Sequence, residues 1–251
     1  MNVQLHLNSK TADRFNGNIP NMNSQPTWFL KRFLPTRIDR RQTMYVSVMN
    51  ASIPCTFLNC DYFNNTLIYY DNNNVEQTVV IPEGNYNVAS LANWLNTSQS
   101  SPFSVTYNAI TNHYTIQSKN NQPWTWSSES TCGELLGLTT DSNLQSSNTG
   151  SLTSDIGVNF FTIRNIIILC PTLLTNNINA QQQNNRSVLI NIPVTAGANS
   201  MLVYQNTNNI RSELDSYGDM SNFQLALVDQ DGDFIDLNGS HWSISLLFQI
   251  E

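Results

Sequence analysis

The sequence has little charge. Asp, Glu, Lys and Arg together make up 12% of its 251 residues, about half the share usual in a soluble globular chain. Lysine occurs only three times, and the net charge is −7. An acidic chain of this kind repels phosphate, so no specific nucleic-acid recognition is expected of its body. Cysteine is scarce too. Cys55, Cys60, Cys132 and Cys170 are scattered without a C-x-x-C, which excludes a disulfide framework and a Cys/His zinc site. Cys55 and Cys60 are close enough in sequence to bridge, but buried reduced thiols are the default. The three histidines, His6, His113 and His241, have no metal-type spacing. No apolar run reaches the roughly 18 residues of a membrane span. Met1 to Lys10 (MNVQLHLNSK) lacks the charged-then-apolar layout of a secretory signal, so none is expected. Dinucleotide, Walker, nucleophile-elbow and zincin motifs are all absent. The expectation is therefore no enzyme, no cofactor and no metal.

What the chain has instead is asparagine, 37 of them. Asn disfavours strand and helix interiors and suits turns. Leu, Ile, Val and Phe number 67, which is enough for a sizeable core. The combination predicts short strands joined by many turns. Five N-x-S/T sequons, at Asn50, Asn64, Asn96, Asn185 and Asn238, follow from the Asn content alone.

Charge is unevenly placed. Residues 1–41 are net +5, through Lys10, Arg14, Lys31, Arg32, Arg37, Arg40 and Arg41 against Asp13 and Asp39. The remainder is net −12, and Glu213 to Glu251 holds eight acids and no Lys or Arg. The asymmetry predicts a basic arm, residues 1–43, ahead of an acidic body, residues 44–251. The arm reads either as a docking element for an acidic neighbour or nucleic acid, or as a solvated tail. Asn16 to Pro26 reads as extended loop, and the apolar Trp28, Phe29, Leu30, Phe33 and Leu34 must pack on something.

The body reads as strands. Candidates are Met44–Met49, Thr66–Tyr70, Val75–Ile81, Phe103–Tyr107, His113–Gln117, Phe160–Leu169, Ser187–Pro193, Met201–Gln205, Ser221–Val228 and Trp242–Ile250. Phe160–Leu169 is apolar enough for a central strand buried on both faces. One short helix is predicted over Asn87–Thr97, with Asn87 as N-cap, and Cys132–Leu138 adds one turn. With no βαβ alternation, the fold expected is all-β: an antiparallel β-sandwich, a single jelly roll with inserted loops and one short helix.

Three local features invite a chemical reading. Asp229-Gln230-Asp231-Gly232-Asp233 resembles a calcium loop, but Gly232 falls at position four and Ser240 at twelve, so an EF-hand fails. Asp231-Gly232 and Asn238-Gly239 are both read as type I′ hairpin turns. Ser240-His241 with the upstream acids is a weak hydrolase constellation, against a surface histidine beside the last strand. Trp124 and Trp126 share one face of a strand. They read as core or interface, or, less readily, as the sugar platform of a lectin.

Two longer stretches carry a family resemblance. Ile81-Pro82-Glu83-Gly84-Asn85-Tyr86 leads into the predicted helix, and Leu135-Leu136-Gly137-Leu138 follows some fifty residues later. Leu225-Ala226-Leu227-Val228-Asp229 continues through Asp236-Leu237-Asn238-Gly239-Ser240-His241-Trp242-Ser243-Ile244-Ser245-Leu246. In this order they resemble the penton, or minor capsid, proteins of virophages and polinton-like viruses, over residues 44–251. The resemblance implies a single jelly roll without an active site. It implies five copies at each icosahedral vertex of a virion, beside trimers of a double-jelly-roll major capsid protein and possible further minor capsid proteins. Lys31, Arg32, Arg37, Arg40 and Arg41 are the candidate interface residues. A jelly-roll carbohydrate-binding or host-attachment module is the alternative.

Overall fold

The computed structural model describes residues 2–11, 27–29, 43–139, 141, 143–170, 188–214 and 222–251. The chain divides into two compact units. The first takes Met1–Phe57 and Ile163–Glu251, and the second, Leu58–Thr162, is inserted between them.

The first unit opens with β1 (Asn2–Asn8), β2 (Thr27–Phe29) and β3 (Met44–Pro54). Strand β1 is period two: Val3, Leu5 and Leu7 pack on the core, while Asn2, Gln4, His6 and Asn8 are exposed.

The inserted unit follows with β4 (Thr66–Tyr70), β5 (Glu76–Val80), α1 (Val88–Thr97), β6 (Phe103–Asn108), β7 (His113–Ser118), β8 (Thr125–Trp126), α2 (Gly133–Leu136), β9 (Leu144–Gln145) and β10 (Ser151–Thr153). It holds a four-stranded sheet, β5-β4-β8-β9, and a three-stranded one, β10-β7-β6. The β4–β5 and β6–β7 hairpins are those expected. Their turns place Asn74 and Asn112 in the left-handed region, both at φ 58°, which Asn tolerates better than other side chains. Helix α1 starts where Asn87 predicted. The Asn87 side chain accepts from Ala89 and Ser90 N–H, and Ser90 Oγ accepts from Asn87 N–H, a capping box. Asn96 ties the helix to β6, accepting from Val105 N–H at 2.6 Å and donating to Val105 O at 3.0 Å. The Leu135-Leu136-Gly137-Leu138 stretch is a helical turn closed by Gly137 at φ 70°. A Cβ there would lie 2.5 Å from the Ile156 carbonyl, so only glycine fits. This unit has its own core, built on Leu67, Ile81, Leu91, Phe103, Tyr114 and Trp126.

The chain then returns to the first unit with β11 (Asn165–Leu169), β12 (Val188–Pro193), β13 (Met201–Gln205), β14 (Ser212–Glu213), β15 (Asn222–Gln224), β16 (Ala226–Val228) and β17 (Ser243–Ile250). One sheet runs β1-β17-β3-β13, with β14 also on β3; a second runs β12-β11-β16, and β15 pairs with β2. Every pairing is antiparallel. Neighbours such as β3 and β17 are far apart in sequence, the crossover habit of a jelly roll. Val46, Val48 and Ile53 of β3 and Ile244, Leu246 and Phe248 of β17 meet Ile166 and Ile168 of β11 and Leu227 of β16 in one core. The fold is the all-β jelly-roll sandwich the pattern predicts.

Three expectations need correction. The strand expected over Phe160–Leu169 covers only Asn165–Leu169, because Asn159 Oδ1 accepts from Phe161 N–H and turns the chain there. The remainder is buried on both faces as read, Ile166 and Ile168 on one side and Ile167 and Leu169 on the other. Ser221–Val228 is not one strand. It breaks at Leu225 because β15 pairs with β2 and β16 with β11. Asp231-Gly232 is not a type I′ turn, since Gly232 has positive φ, at 91°, and Asp231 does not. The Asp229 carboxylate accepts from the N–H groups of Asp231, Gly232 and Asp233 and opens a wider turn. Asn238-Gly239 is type I′ as expected, with φ of 49° and 77° and Ser240 N–H bonded to Leu237 O.

Candidate assembly surfaces

The expected interface residues Lys31, Arg32, Arg37, Arg40 and Arg41 lie outside the described residues. Of the acids near the end of the chain, the structure describes Glu213, Asp229, Asp231, Asp233, Asp236 and Glu251. They do not form one patch of free charge. Glu251 pairs with Arg211, whose guanidinium also lies 4.0 Å from the centre of the Tyr45 ring. Asp229 is turned onto its own loop, and burial raises its carboxyl above its ordinary value.

Trp124 and Trp126 are core. They are 4% and 0% exposed, and their indole N–H groups donate to Gly150 O and Thr139 O, each at 2.9 Å. Neither ring is open to stack on a sugar. His6 and His241 tie the start of the chain to its end. His6 Nδ1 lies 2.7 Å from Ser245 Oγ, and His241 Nδ1 lies 3.3 Å from Ser9 Oγ. Ser9 Oγ in turn accepts from Trp242 N–H at 2.9 Å. That geometry latches the first residues of the chain to β17. All four cysteines are buried thiols, as the default reading had it. Burial, with Asp61 and Glu83 adding to it, pushes the Cys60 thiol up to about 12, far from the range of a nucleophile.

One surface escaped the sequence. Tyr62 and Phe63 are 67% and 69% exposed, and their ring centres lie 3.8 Å apart. They sit on a turn braced from within. Asp61 Oδ1 accepts from Phe63 N–H, Asn64 Oδ1 accepts from Asp61 N–H, and Asn64 Nδ2 donates to Asn59 O. The Ile81-to-Tyr86 element lies against it. Cys60 and Gly84 exchange both backbone hydrogen bonds, at 3.1 and 2.9 Å. A Cβ on Gly84 would press the Tyr86 ring at 3.3 Å. Tyr86 folds back so that its hydroxyl donates to Pro82 O at 2.9 Å. The only signal in the sequence was two adjacent aromatics between polar residues, which is also how a buried turn reads.

Charge also divides between the two units. Residues 58–162 hold eight carboxylates and one cation, Lys119, for net −7, so the other unit is neutral overall. Lys119 is itself occupied, its ammonium donating to Ser98 O and Ser101 O.

No protein-family model matches the chain, and no curated protein matches its sequence. Among solved structures, the fold matches the crystal structure of the mavirus penton protein. The match covers 100% of both chains, with a TM-score of 0.52 at 12% identity. The penton resemblance carried by the short motifs thus has its counterpart in the fold.

Proposed function

We propose that this chain is a penton-type minor capsid protein: five copies close a ring at each vertex of an icosahedral shell, beside trimers of a double-jelly-roll major capsid protein. The observation that carries the reading is the end-to-end likeness in fold to a virophage penton protein. The motifs behind the sequence resemblance support it, because each does a structural task here. Ile81–Tyr86 braces a turn, Leu135–Leu138 closes α2, and Asn238-Gly239 turns the chain toward β17. A ring uses two different patches on every subunit. The basic stretch containing Lys31, Arg32, Arg37, Arg40 and Arg41, downstream of β1, supplies one. With Trp124 and Trp126 buried, a lectin loses the residues that suggested it.

Native mass spectrometry of the purified chain, across concentration and salt, tests the reading. A closed pentamer, or a pentamer formed only when the major capsid protein is co-expressed, is the expected result. A stable trimer, or a monomer that stays off shells assembled from the major capsid protein, overturns it.

A further inference from the structure

We propose that the aromatic tip Tyr62–Phe63 of the inserted unit is a docking anchor for the basic segment Leu30–Gln42 of a second copy of this chain. The inference rests on the self-assembly reading above and names the contact.

The argument starts from cost. Scattered exposed apolar side chains are ordinary. Here two large rings stand together at one tip, each about two-thirds exposed, on a turn that cannot fold them away. Three side-chain hydrogen bonds fix the turn itself, and the Cys60–Gly84 backbone pair fixes it to the Ile81–Tyr86 element. A rigid aromatic anchor loses little entropy on binding, and aromatic residues of this kind carry much of the energy of protein contacts.

Charge says what the anchor meets. Asp61 and Glu83 flank the tip, close enough that both act on the buried Cys60 thiol. Glu83 is exposed and has no hydrogen-bond or ion-pair partner among the described residues. The unit that bears them is net −7, and its one lysine is held by two carbonyls. The unit therefore has no cation to spare for this tip. The partner must offer apolar side chains beside several positive charges. Residues 30–42, LKRFLPTRIDRRQ, offer Leu30, Phe33, Leu34 and Ile38 among Lys31, Arg32, Arg37, Arg40 and Arg41, for net +4. No other stretch of the chain combines the two. The apolar side chains cover the rings, the cations face Asp61 and Glu83, and the field of the whole unit steers the approach.

The test uses a fluorescent synthetic peptide of residues 30–42 and the full chain carrying Arg32→Ser, Arg37→Ser, Arg40→Ser and Arg41→Ser, so that its own arm does not compete. Fluorescence anisotropy is expected to show binding that weakens as salt rises. Adding Tyr62→Ser with Phe63→Ser should weaken it about tenfold or more. Adding Asp61→Asn with Glu83→Gln should weaken it several-fold and reduce the salt dependence. This second pair also keeps the test decisive if the aromatic pair proves necessary for folding, which circular dichroism would reveal. A peptide with Phe33 and Leu34 replaced by Ser should bind as weakly as the tip variant allows. No binding, or equal binding to both variants and the parent, overturns the proposal. The two readings fail separately. A chain that forms pentamers but ignores the peptide refutes this contact alone, and one that binds the peptide at the tip but never closes a ring refutes the vertex assignment.

Discussion

Asn59 and Tyr86 hold each other through two hydrogen bonds: Asn59 Nδ2 donates to Tyr86 O at 2.7 Å, and Tyr86 N–H donates to Asn59 Oδ1 at 2.8 Å. A side-chain amide here takes the place of a neighbouring strand, satisfying both backbone groups of one residue. It sits beside the Cys60–Gly84 backbone pair, so the two turns that form the aromatic tip are joined twice.

Replacing Asn59 by Ala removes both bonds and leaves two half-buried backbone groups without a protein partner. The expected loss is about 1–3 kcal/mol of stability, read as a lower midpoint in urea unfolding followed by tryptophan fluorescence. Asn59→Asp should do less harm at acid pH, where a protonated carboxyl donates as well as accepts, than at neutral pH. An Asn59→Ala midpoint equal to wild type would mean that the clamp contributes nothing.

The tight turn before the last strand gives a second test. Asn238 has φ 49°, a conformation glycine adopts freely and an ordinary L-residue does not. Asn238→Gly is expected to leave the thermal midpoint unchanged within about 1 °C, and Asn238→Val to cost about 1–2 kcal/mol. Gly239→Ala, at φ 77° with open space around the new methyl, should cost a similar amount through backbone strain alone. Scanning calorimetry of the three variants separates strain from packing, since only strain is available at Gly239.

These two sites also mark how far the sequence could be read. Asn238-Gly239 and the Asn87 cap are local chemistry: the residue type carries the conformation, so the turn and the helix start are legible without tertiary context. The β4–β5 and β6–β7 hairpins are legible for the same reason. Leu225 is different. Its neighbours alternate like one strand, and only the separate partners β2 and β11 split them. The Asp229 turn is not legible from its Asp-Gly pair, because a side chain three residues upstream of Gly232 sets its geometry. Tyr62 and Phe63 could not have been found at all. The turn that carries them is tied to Gly84, some twenty residues on, through the Cys60–Gly84 backbone pair, and that pairing is invisible in a linear pattern. Val3, Leu5 and Leu7 alternate as a strand does, but the basic residues that follow dominate the composition of the segment.

Alkaline pH should unfold this protein through its buried acids. Burial pushes the Cys60 thiol from its ordinary value near 9 up to about 12, and raises Cys132 and Tyr114 as well. Between those values the unfolded chain loses protons that the folded chain keeps, so the folded state binds more protons and stability falls as pH rises. Stability is expected to be flat below about pH 8 and to decline from about pH 9 upward. Cys60→Ala should flatten that limb while costing some packing at neutral pH. Consistent with this, an aromatic disulfide reagent at pH 8 should find no fast-reacting thiol in the native chain and four in guanidinium. A fast native thiol would contradict the burial of all four.

The last prediction concerns the basic arm as a whole. Arg32, Arg37, Arg40 and Arg41 lie in a segment of net +5, on a chain whose inserted unit is net −7. Attraction between two copies through such charges is long-ranged and screened over roughly 10 Å at 0.1 M salt. Because the proposed attraction acts between copies and not within one, changing all four arginines to Ser should leave the thermal midpoint within about 2 °C of wild type. Assembly should respond differently. The variant is expected to self-associate at least tenfold more weakly at low salt, and to differ less from wild type as salt rises. Arg→Lys at the same four positions keeps the charge and should restore most of the low-salt association. If it does not, the guanidinium groups act through directed bidentate contacts rather than through charge, since lysine cannot reproduce that geometry. Association of the Ser variant equal to wild type at every salt concentration would remove the arm from the interface altogether.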